Sequence, residues 1–229
     1  MPSLMPGEVD VLIVAAHAPN LASLRAQLGD ELSGFIRKLR VAAKTVGVGG
    51  PAAAASVTRR MMQVTPTAVI QVGTAGAFPG LGFEPNDVLV TNRHVLVDAA
   101  VLDGRAAYPE PLQTIISPNA AMSDGLGADP AIRRVGVTSG SASVRDPGLA
   151  NVIHDRTKCG AENLEAFSIA HACAVLQIPY ACVLGVSYET TPQAKDSSAQ
   201  HERSASAAAC AAVSSWLHAG APGLPHAAP

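Results

Sequence analysis

The segment AENLEA, residues 161–166, carries the residue type best suited to holding a sugar. Glu165 comes at the start of a stretch that is otherwise rich in Ala, Phe, Ile and Cys. One ionised carboxylate accepts two O–H donors at once, which is what the paired hydroxyls of a ribose require. Spacing alone still favours a solvent-exposed polar face for this residue.

Two glycine-containing segments are candidates for contact with a ligand through their backbone. Gly47-Val48-Gly49-Gly50 precedes a predicted helix, where N–H groups can face an anion or a hydroxyl, although a tight turn without a ligand is the commoner use. Gly73-Thr74-Ala75-Gly76 follows a predicted buried strand, and its glycines would let a ligand approach the backbone. A plain turn and a binding turn are equally consistent with this second segment.

The remaining sequence supplies elements that position these segments. Apolar, β-branched runs predict strands, and apolar residues at helical spacing predict helices. Asn20 is a predicted helix cap and Gly29 the end of the same helix. The predicted strands cover 9–16, one or two stretches within 35–46, 68–72, 87–91, 135–139 and 180–186, and the predicted helices cover 20–28, 51–63, 162–176 and 197–217.

Alternating strands and helices predict an α/β fold, with a parallel or mixed sheet covered by helices on both faces. We expect one domain over residues 1–220, followed by a flexible tail at 221–229 that is rich in Pro and Ala. Ligands of such sheets bind beyond the carboxyl ends of the strands. This rule selects four places: after Ala16, at 73–76, after Ser139 and after Val186.

Composition excludes several classes of protein. With 48% hydrophobic and 15% charged residues, the chain of 229 residues is predicted to fold compactly. A net charge of −2 and 3% aromatic residues argue against nucleic acid as a partner. No apolar run approaches the roughly 18 residues of a membrane span, so we expect a cytoplasmic protein. The four cysteines are predicted to be reduced core thiols, and the histidines form no His-x₃-His pair, so neither metal nor cofactor is expected.

Five segments, in this order along the chain, resemble the purine nucleoside phosphorylase and nucleosidase superfamily. They are a first strand that ends in a loop, a glycine turn before a helix, a strand that leads to a GTAG sequence, a VEMEA-like helix start and a late strand that resembles one ending in Ile-Ser-Asp. In this chain they read VLIVAAHAPN, TVGVGGPAAAA, VIQVGTAGAF, AENLEAFSIAHAC and YACVLGVSYE. The resemblance spans roughly residues 9 to 215.

The resemblance implies a three-layer α/β/α sandwich with a central mixed, twisted sheet, and cleavage of an N-glycosidic bond. It places Glu165 on the ribose hydroxyls and Leu164 beneath the sugar, where the family has methionine. The other substrate-binding positions that it implies are Gly49, Thr74, Ala75, Gly76, Ser143, Asn163 and Ser187. It also implies a homodimer with a small-molecule nucleoside as substrate.

Two departures from the family's pattern bear on catalysis. Asn20 stands where related hydrolases place the glutamate that orients water, and Tyr188 stands where they place an acid or amide for the base. Glu189, one residue further on, and His17, whose ordinary pKa lies near 6.5, are the candidate replacements. Asn20, Tyr188, Glu189 and His17 are therefore the predicted catalytic residues.

Smaller sequence differences bear on which molecule attacks the sugar, water or phosphate, and on the subfamily. Phosphorylases of the family grip phosphate with arginine in the first loop, but the loop here is His17-Ala18-Pro19-Asn20, so water is the expected acceptor. The segments NLEAFSIAHAC and LVDAAVLDGRAAYPEP are most similar to futalosine hydrolases, which would place the reaction in the menaquinone route, and next to methylthioadenosine/S-adenosylhomocysteine nucleosidases. A phosphorylase and a nucleoside-binding protein with weakened catalysis remain alternatives.

Overall fold

The computed structural model describes residues 9–190 and 194–225. Nine strands are present in this part of the chain: β1 Val11–Ala15, β2 Ser33–Ile36, β3 Leu39–Thr45, β4 Ala68–Ala77, β5 Val88–Leu96, β6 Ile115–Ile116, β7 Arg133–Ser139, β8 Ala161–Glu162 and β9 Tyr180–Glu189. A 3-10 helix covers Ala18–Leu24. The α-helices are α1 Arg25–Leu28, α2 Gly50–Val64, α3 Ala99–Leu102, α4 Ala120–Leu126, α5 Pro147–Thr157, α6 Ala166–Val175 and α7 Ala194–His218.

The strands form one mixed sheet. Its order is β2-β3-β1-β4-β8-β7-β5-β6, and β9 pairs with both β4 and β5. β1 runs parallel to β3 and β4, and β4 runs parallel to β9, whereas β5 and β9 are antiparallel. The predicted α/β class with a central mixed sheet is confirmed.

Pairing of β9 with two strands closes part of the sheet on itself. β4, β9, β5, β7 and β8 form a ring in which each strand pairs with the next. In this ring Glu162 of β8 lies in register with Gly76 of β4 and with Thr138 of β7. The sequence did not predict this closure, because β8 is only two residues long and carries no alternation to reveal it.

Helices cover both faces of the sheet, each over its own apolar core. On one face α2 contributes Ala53, Val57 and Met61, four residues apart, and packs with α6 over the strands. On the other face α7, α4 and the 3-10 helix pack over β1, β4 and β9, with Trp216 among the buried residues. A smaller third cluster joins α5 to the ring.

Three local predictions differ from the structure. Residues 73–76 continue β4 as a strand and do not turn, because β8 and β9 supply pairing partners on both sides. Asn20 lies inside the 3-10 helix, whose N-cap is His17, so it does not cap the helix. Glu165 is itself the N-cap residue of α6, one position before the helix begins, and Glu162 lies on a strand.

Residues on either side of the end of α7 are packed against the domain. Ala221 is 3% exposed, and the indole N–H of Trp216 donates to the carbonyl of Pro222 at 2.9 Å. The segment expected to be a flexible tail, described up to residue 225, thus begins with one buried residue. All four cysteines are buried and free, as predicted for core thiols.

Gly185 of β9 lies close against the backbone of α7. A Cβ atom at this position would lie 2.0 Å from the carbonyl oxygen of Ala205. We expect Gly185→Ala to lower the free energy of unfolding by about 1–3 kcal/mol, since overpacking forces backbone shifts. Urea denaturation measures this change. Gly73→Ala, on the neighbouring strand β4 opposite Leu184, is the matched control because its Cβ would meet only Leu184 Cδ2 at 3.7 Å; equal losses in both variants would contradict the prediction.

Candidate active site

One pocket lies at the carboxyl ends of β1, β4 and β9. All four places that the strand-end rule selected contribute to its wall: the loop after β1, the end of β4, the loop after β7 and the end of β9. Its lining residues are Ala16, His17, Asn20, Val48, Thr74, Gly76, Ser143, Glu162, Asn163, Leu164, Glu165 and Tyr188.

Glu165 is fixed in the pocket by the glycine turn before α2. The backbone N–H of Gly49 donates to Glu165 Oε1 at 2.8 Å. Gly49 has a φ of 86°, a left-handed value that favours glycine and turns this N–H toward the carboxyl. The side chain is buried, and burial raises the pKa of Glu165, while the bond from Gly49 and the nearby His17 lower it.

Asn163 links the two carboxyl-bearing positions to β4. Its Oδ1 accepts from Gln71 Nε2 at 3.0 Å and from the backbone N–H groups of Glu165 and Ala166, which opens α6. Its Nδ2 donates to the carbonyl of Thr74 at 3.0 Å. The Asn163 amide is therefore engaged with the protein, and its place is that of a residue that positions Glu165.

A second carboxyl group, Glu162, lies in the same pocket. Tyr188 Oη donates to Glu162 Oε1 at 2.8 Å, and the Val144 N–H lies 3.1 Å and 3.0 Å from the two carboxyl oxygens. The residue is 4% exposed, and burial raises the pKa of Glu162 to about 7, against the opposing effect of these two hydrogen bonds. A carboxyl with a pKa raised this far is expected to be partly protonated near neutral pH.

Tyr188 owes its position to a glycine on the neighbouring strand. A Cβ atom on Gly76 would lie 2.4 Å from Tyr188 Cζ, so any side chain there would displace the ring. A register shift between β4 and β9 at Ala75 and Gly76 brings Tyr188 opposite Gly76. Burial and the adjacent Glu162 raise the pKa of Tyr188 well above its ordinary value, which keeps its hydroxyl protonated.

The loop after β1 places a histidine and an amide at the pocket. His17 Nε2 lies 2.7 Å from Glu202 Oε1 of α7. His17 Nδ1 and Asn20 Nδ2 are buried and have no hydrogen-bond partner among the described residues. Because buried polar atoms are normally paired, two unpaired ones in one pocket favour a ligand or water there.

The other predicted residues are distributed differently. The pocket is lined by Leu164, Thr74 and Ser143. Gly49 contributes to it through the hydrogen bond that its N–H donates to Glu165. Outside the pocket lining are Ala75, which is buried, Ser187, whose hydroxyl lies 3.4 Å from the Ala75 carbonyl, and Glu189, which accepts from the Gly80 N–H at 3.2 Å.

Two residues of the site were missed by the sequence analysis. Glu162 stands in the quoted AENLEA segment, where a carboxyl directly after buried Ala161 was the available signal. Glu202 is 185 positions from His17, and nothing in the sequence pairs them. Among the described residues, no group of three His, Cys, Asp or Glu side chains is placed to hold a metal ion. The described helices include none long and apolar enough to cross a membrane.

The chain belongs to the phosphorylase superfamily, whose family model matches residues 5–217. This match confirms the family to which the five segments were assigned, over nearly the same span.

Solved structures share the fold at low sequence identity. The 5′-methylthioadenosine/S-adenosylhomocysteine nucleosidase of Helicobacter pylori is 16% identical, with a TM-score of 0.82 over 92% of this chain and 98% of that one. The futalosine hydrolase of the same organism is 15% identical, with a TM-score of 0.82 over 92% and 97%. The Neisseria meningitidis nucleosidase, in complex with methylthio-immucillin-A, is 19% identical, with a TM-score of 0.81 over 91% and 98%.

Protonation of Glu162 should appear in the pH dependence of stability. Its pKa is about 7 in the folded chain against an ordinary value of 4.5, so between these pH values the folded state binds more protons than the unfolded state. Stability then falls as pH rises through this window, by about 3 kcal/mol at 1.36 kcal/mol per pH unit. We expect the unfolding free energy of the wild type minus that of Glu162→Gln to fall by that amount as pH rises, and to level off about one pH unit above the folded pKa.

Urea denaturation at a series of pH values measures this difference. Glu189→Gln, which changes an exposed carboxyl at the end of β9, is the matched control and should show no such trend. A constant difference between wild type and Glu162→Gln from pH 4.5 to 7 would contradict the raised pKa.

Proposed function

We propose that this protein hydrolyses the N-glycosidic bond of a purine nucleoside. The observation that carries the proposal is the Glu165 carboxyl, which is buried in the pocket and tied to the Gly49 N–H. A carboxylate that is fixed in this way can accept hydrogen bonds from both hydroxyls of a ribose, and binding then costs little side-chain entropy.

Cleavage of the bond sets three chemical tasks. Departure of the base leaves positive charge on the sugar ring, so the site must hold the sugar, accept a proton from the attacking nucleophile and supply one to the base. Glu165 serves the first task. The unpaired His17 Nδ1 and Asn20 Nδ2 support a water molecule at the loop after β1 for the second.

Water is favoured over phosphate as the nucleophile by the charge of the pocket. Of its described lining residues, none is Arg or Lys, while two carry carboxyl groups. A phosphate ion would meet repulsion from the Glu165 carboxylate with no guanidinium fork to offset it. Arg145, on the exposed loop before α5, is near enough to lower the pKa of Tyr188 but does not line the pocket.

His17 supplies the general base in this proposal. When Nε2 carries the proton and donates to Glu202, Nδ1 is left with a lone pair that can take a proton from water. The resulting imidazolium is stabilised by the Glu202 carboxylate. Asn20 orients the water but takes no proton.

The substrate is expected to be a purine ribonucleoside of the kinds named for the structural neighbours. Futalosine, in line with the quoted helix and loop segments, is the first candidate, which would place the enzyme in the menaquinone route, and methylthioadenosine is the second. A homodimer remains a prediction from the family resemblance.

Release of free base tests the proposal. The protein should be incubated with futalosine, methylthioadenosine, inosine and adenosine, with and without phosphate, and the products separated by chromatography. We expect free base and free sugar at a rate independent of phosphate. Sugar phosphate as the product would replace hydrolysis by phosphorolysis. Binding by calorimetry with no turnover of any of the four would favour a nucleoside-binding protein.

Glu165→Gln should lower kcat/KM for the best of these substrates by about 10- to 100-fold, since a neutral amide forms weaker hydrogen bonds to hydroxyls than a carboxylate does. The loss should be smaller for the 3′-deoxy analogue of the same nucleoside, which has one hydroxyl fewer to lose. Steady-state kinetics of the wild type and Glu165→Gln with both substrates give this comparison, and Glu31→Gln, at an exposed carboxyl before β2, is the control. An equal loss for the two substrates would show that Glu165 does not hold the diol.

His17→Ala should lower kcat by about 10²–10⁴-fold, the usual contribution of a general base. Glu202→Gln should cost less, and the double variant should be no slower than His17→Ala, because Glu202 acts through the histidine. The exposed His218 at the end of α7 supplies the control variant His218→Asn. If His17→Ala keeps the wild-type kcat, the histidine takes no part in the reaction. If the losses of the two single variants add in the double variant, Glu202 does not act through His17.

A further inference from the structure

We infer that Glu162 is the catalytic acid that protonates the departing base, with Tyr188 as the residue that positions it. The inference rests on the proposed hydrolysis of a nucleoside and adds to it the source of the leaving-group proton.

The two carboxyl groups of the pocket, Glu165 and Glu162, have different hydrogen-bond partners. Glu165 is bonded to the glycine turn before α2, on the side of the pocket where His17 influences it. Glu162 is bonded to Val144 of the loop after β7 and to Tyr188 of β9. If Glu165 holds the sugar, the base extends toward the other wall, where Glu162 is the carboxyl that lines the pocket.

Protonated Glu162 has the hydrogen-bonding pattern of a donor. Tyr188 Oη donates to Oε1, so the proton of the acid belongs on Oε2, whose remaining lone pair accepts from the Val144 N–H at 3.0 Å. After the proton has left, the same two donors stabilise the carboxylate. Tyr188 cannot itself be the acid at neutral pH, since burial and the neighbouring Glu162 raise its pKa well above the ordinary value.

The groups around Glu162 are consistent with a carboxyl that keeps its proton near neutral pH. Its register partners on β4 and β7 are Gly76 and Thr138, neither of which carries charge. The titratable or charged neighbours are Tyr188 from β9, Arg145 through its effect on Tyr188, and Glu165 three residues further along its own chain. Burial among them raises the pKa of Glu162 to about 7.

The reaction balances as follows. The C1′–N bond breaks and its electron pair leaves with the base, while the proton on Glu162 Oε2 moves to a ring nitrogen of the base. Water forms a bond to C1′ and gives its proton to His17 Nδ1. The products are the free base and the free sugar with its 5′ substituent, and exchange with solvent moves one proton from His17 back to Glu162.

A leaving group that needs no proton separates this role from a structural one. The panel of four purine nucleosides and 4-nitrophenyl β-D-ribofuranoside, whose phenolate departs unprotonated, should be tested with the wild type, Glu162→Gln and Tyr188→Phe. Glu31→Gln, which changes an exposed carboxyl before β2, is the control. We expect Glu162→Gln to lose about 10²–10⁴-fold on the best purine nucleoside but only a few-fold on the nitrophenyl riboside. The wild-type rate on the nucleoside should fall as pH rises above about 7, and Tyr188→Phe should move this fall to higher pH, because it removes a donor to the carboxylate.

The outcomes distinguish the two proposals. A wild type that releases base from none of the purine nucleosides overturns the proposed function and this inference together. A wild type that hydrolyses them while Glu162→Gln is unimpaired, or equally impaired on both kinds of substrate, overturns the inference alone. Thermal unfolding of each variant at pH 7 shows whether a lost rate reflects lost folding, and Tyr188→Phe keeps the pH test available if Glu162→Gln does not fold.

Discussion

The burial of two carboxyl groups, three residues apart, at one end of the sheet is the constraint on which the rest of the site depends. Removing a carboxyl from water is costly unless protein donors replace the lost hydrogen bonds. Glu165 finds its donor in the Gly49 N–H, and Glu162 finds its donors in Val144 and Tyr188. Since these donors belong to the turn before α2, the loop after β7 and β9, all three must converge on the short segment between β8 and α6.

Asn163 makes this convergence possible. It stands between the two glutamates and joins the first turn of α6 to Gln71 and to the Thr74 carbonyl of β4. Gln71 is bonded in turn to the buried Tyr180 hydroxyl at 2.6 Å. A satisfied buried network of this kind fixes side-chain positions more firmly than apolar packing alone. The position of Glu165 is thereby set from both ends of its segment.

Much of the fold and part of the site follow from local sequence. Buried runs such as VLIVA predict strands whatever their neighbours. Each of the four places that the strand-end rule selected contributes to the wall of the pocket. Long-range pairing accounts for the rest. Residues 73–76 look like a turn but continue β4, because strands distant in sequence pair with both of its edges. Glu202 meets His17 only through the packing of α7, and the side chain of Asn163 is committed to bonds that its motif does not reveal.

Tyr188 and Gly76 together explain how a carboxyl group lies at this wall of the pocket although residue 188, which was expected to carry an acid or amide, is a tyrosine. The end of β9 has a phenol where an acid or amide was expected, and a phenol whose pKa is raised above its ordinary value gives up no proton near neutrality. Its ring fits only because Gly76 has no side chain, and its hydroxyl then reaches Glu162 on β8. A carboxyl is thus present at this wall of the pocket, supplied by a different strand. Because a proton transfer depends on where the acid lies and on its pKa, and not on which strand bears it, the change at residue 188 does not by itself imply an inactive site.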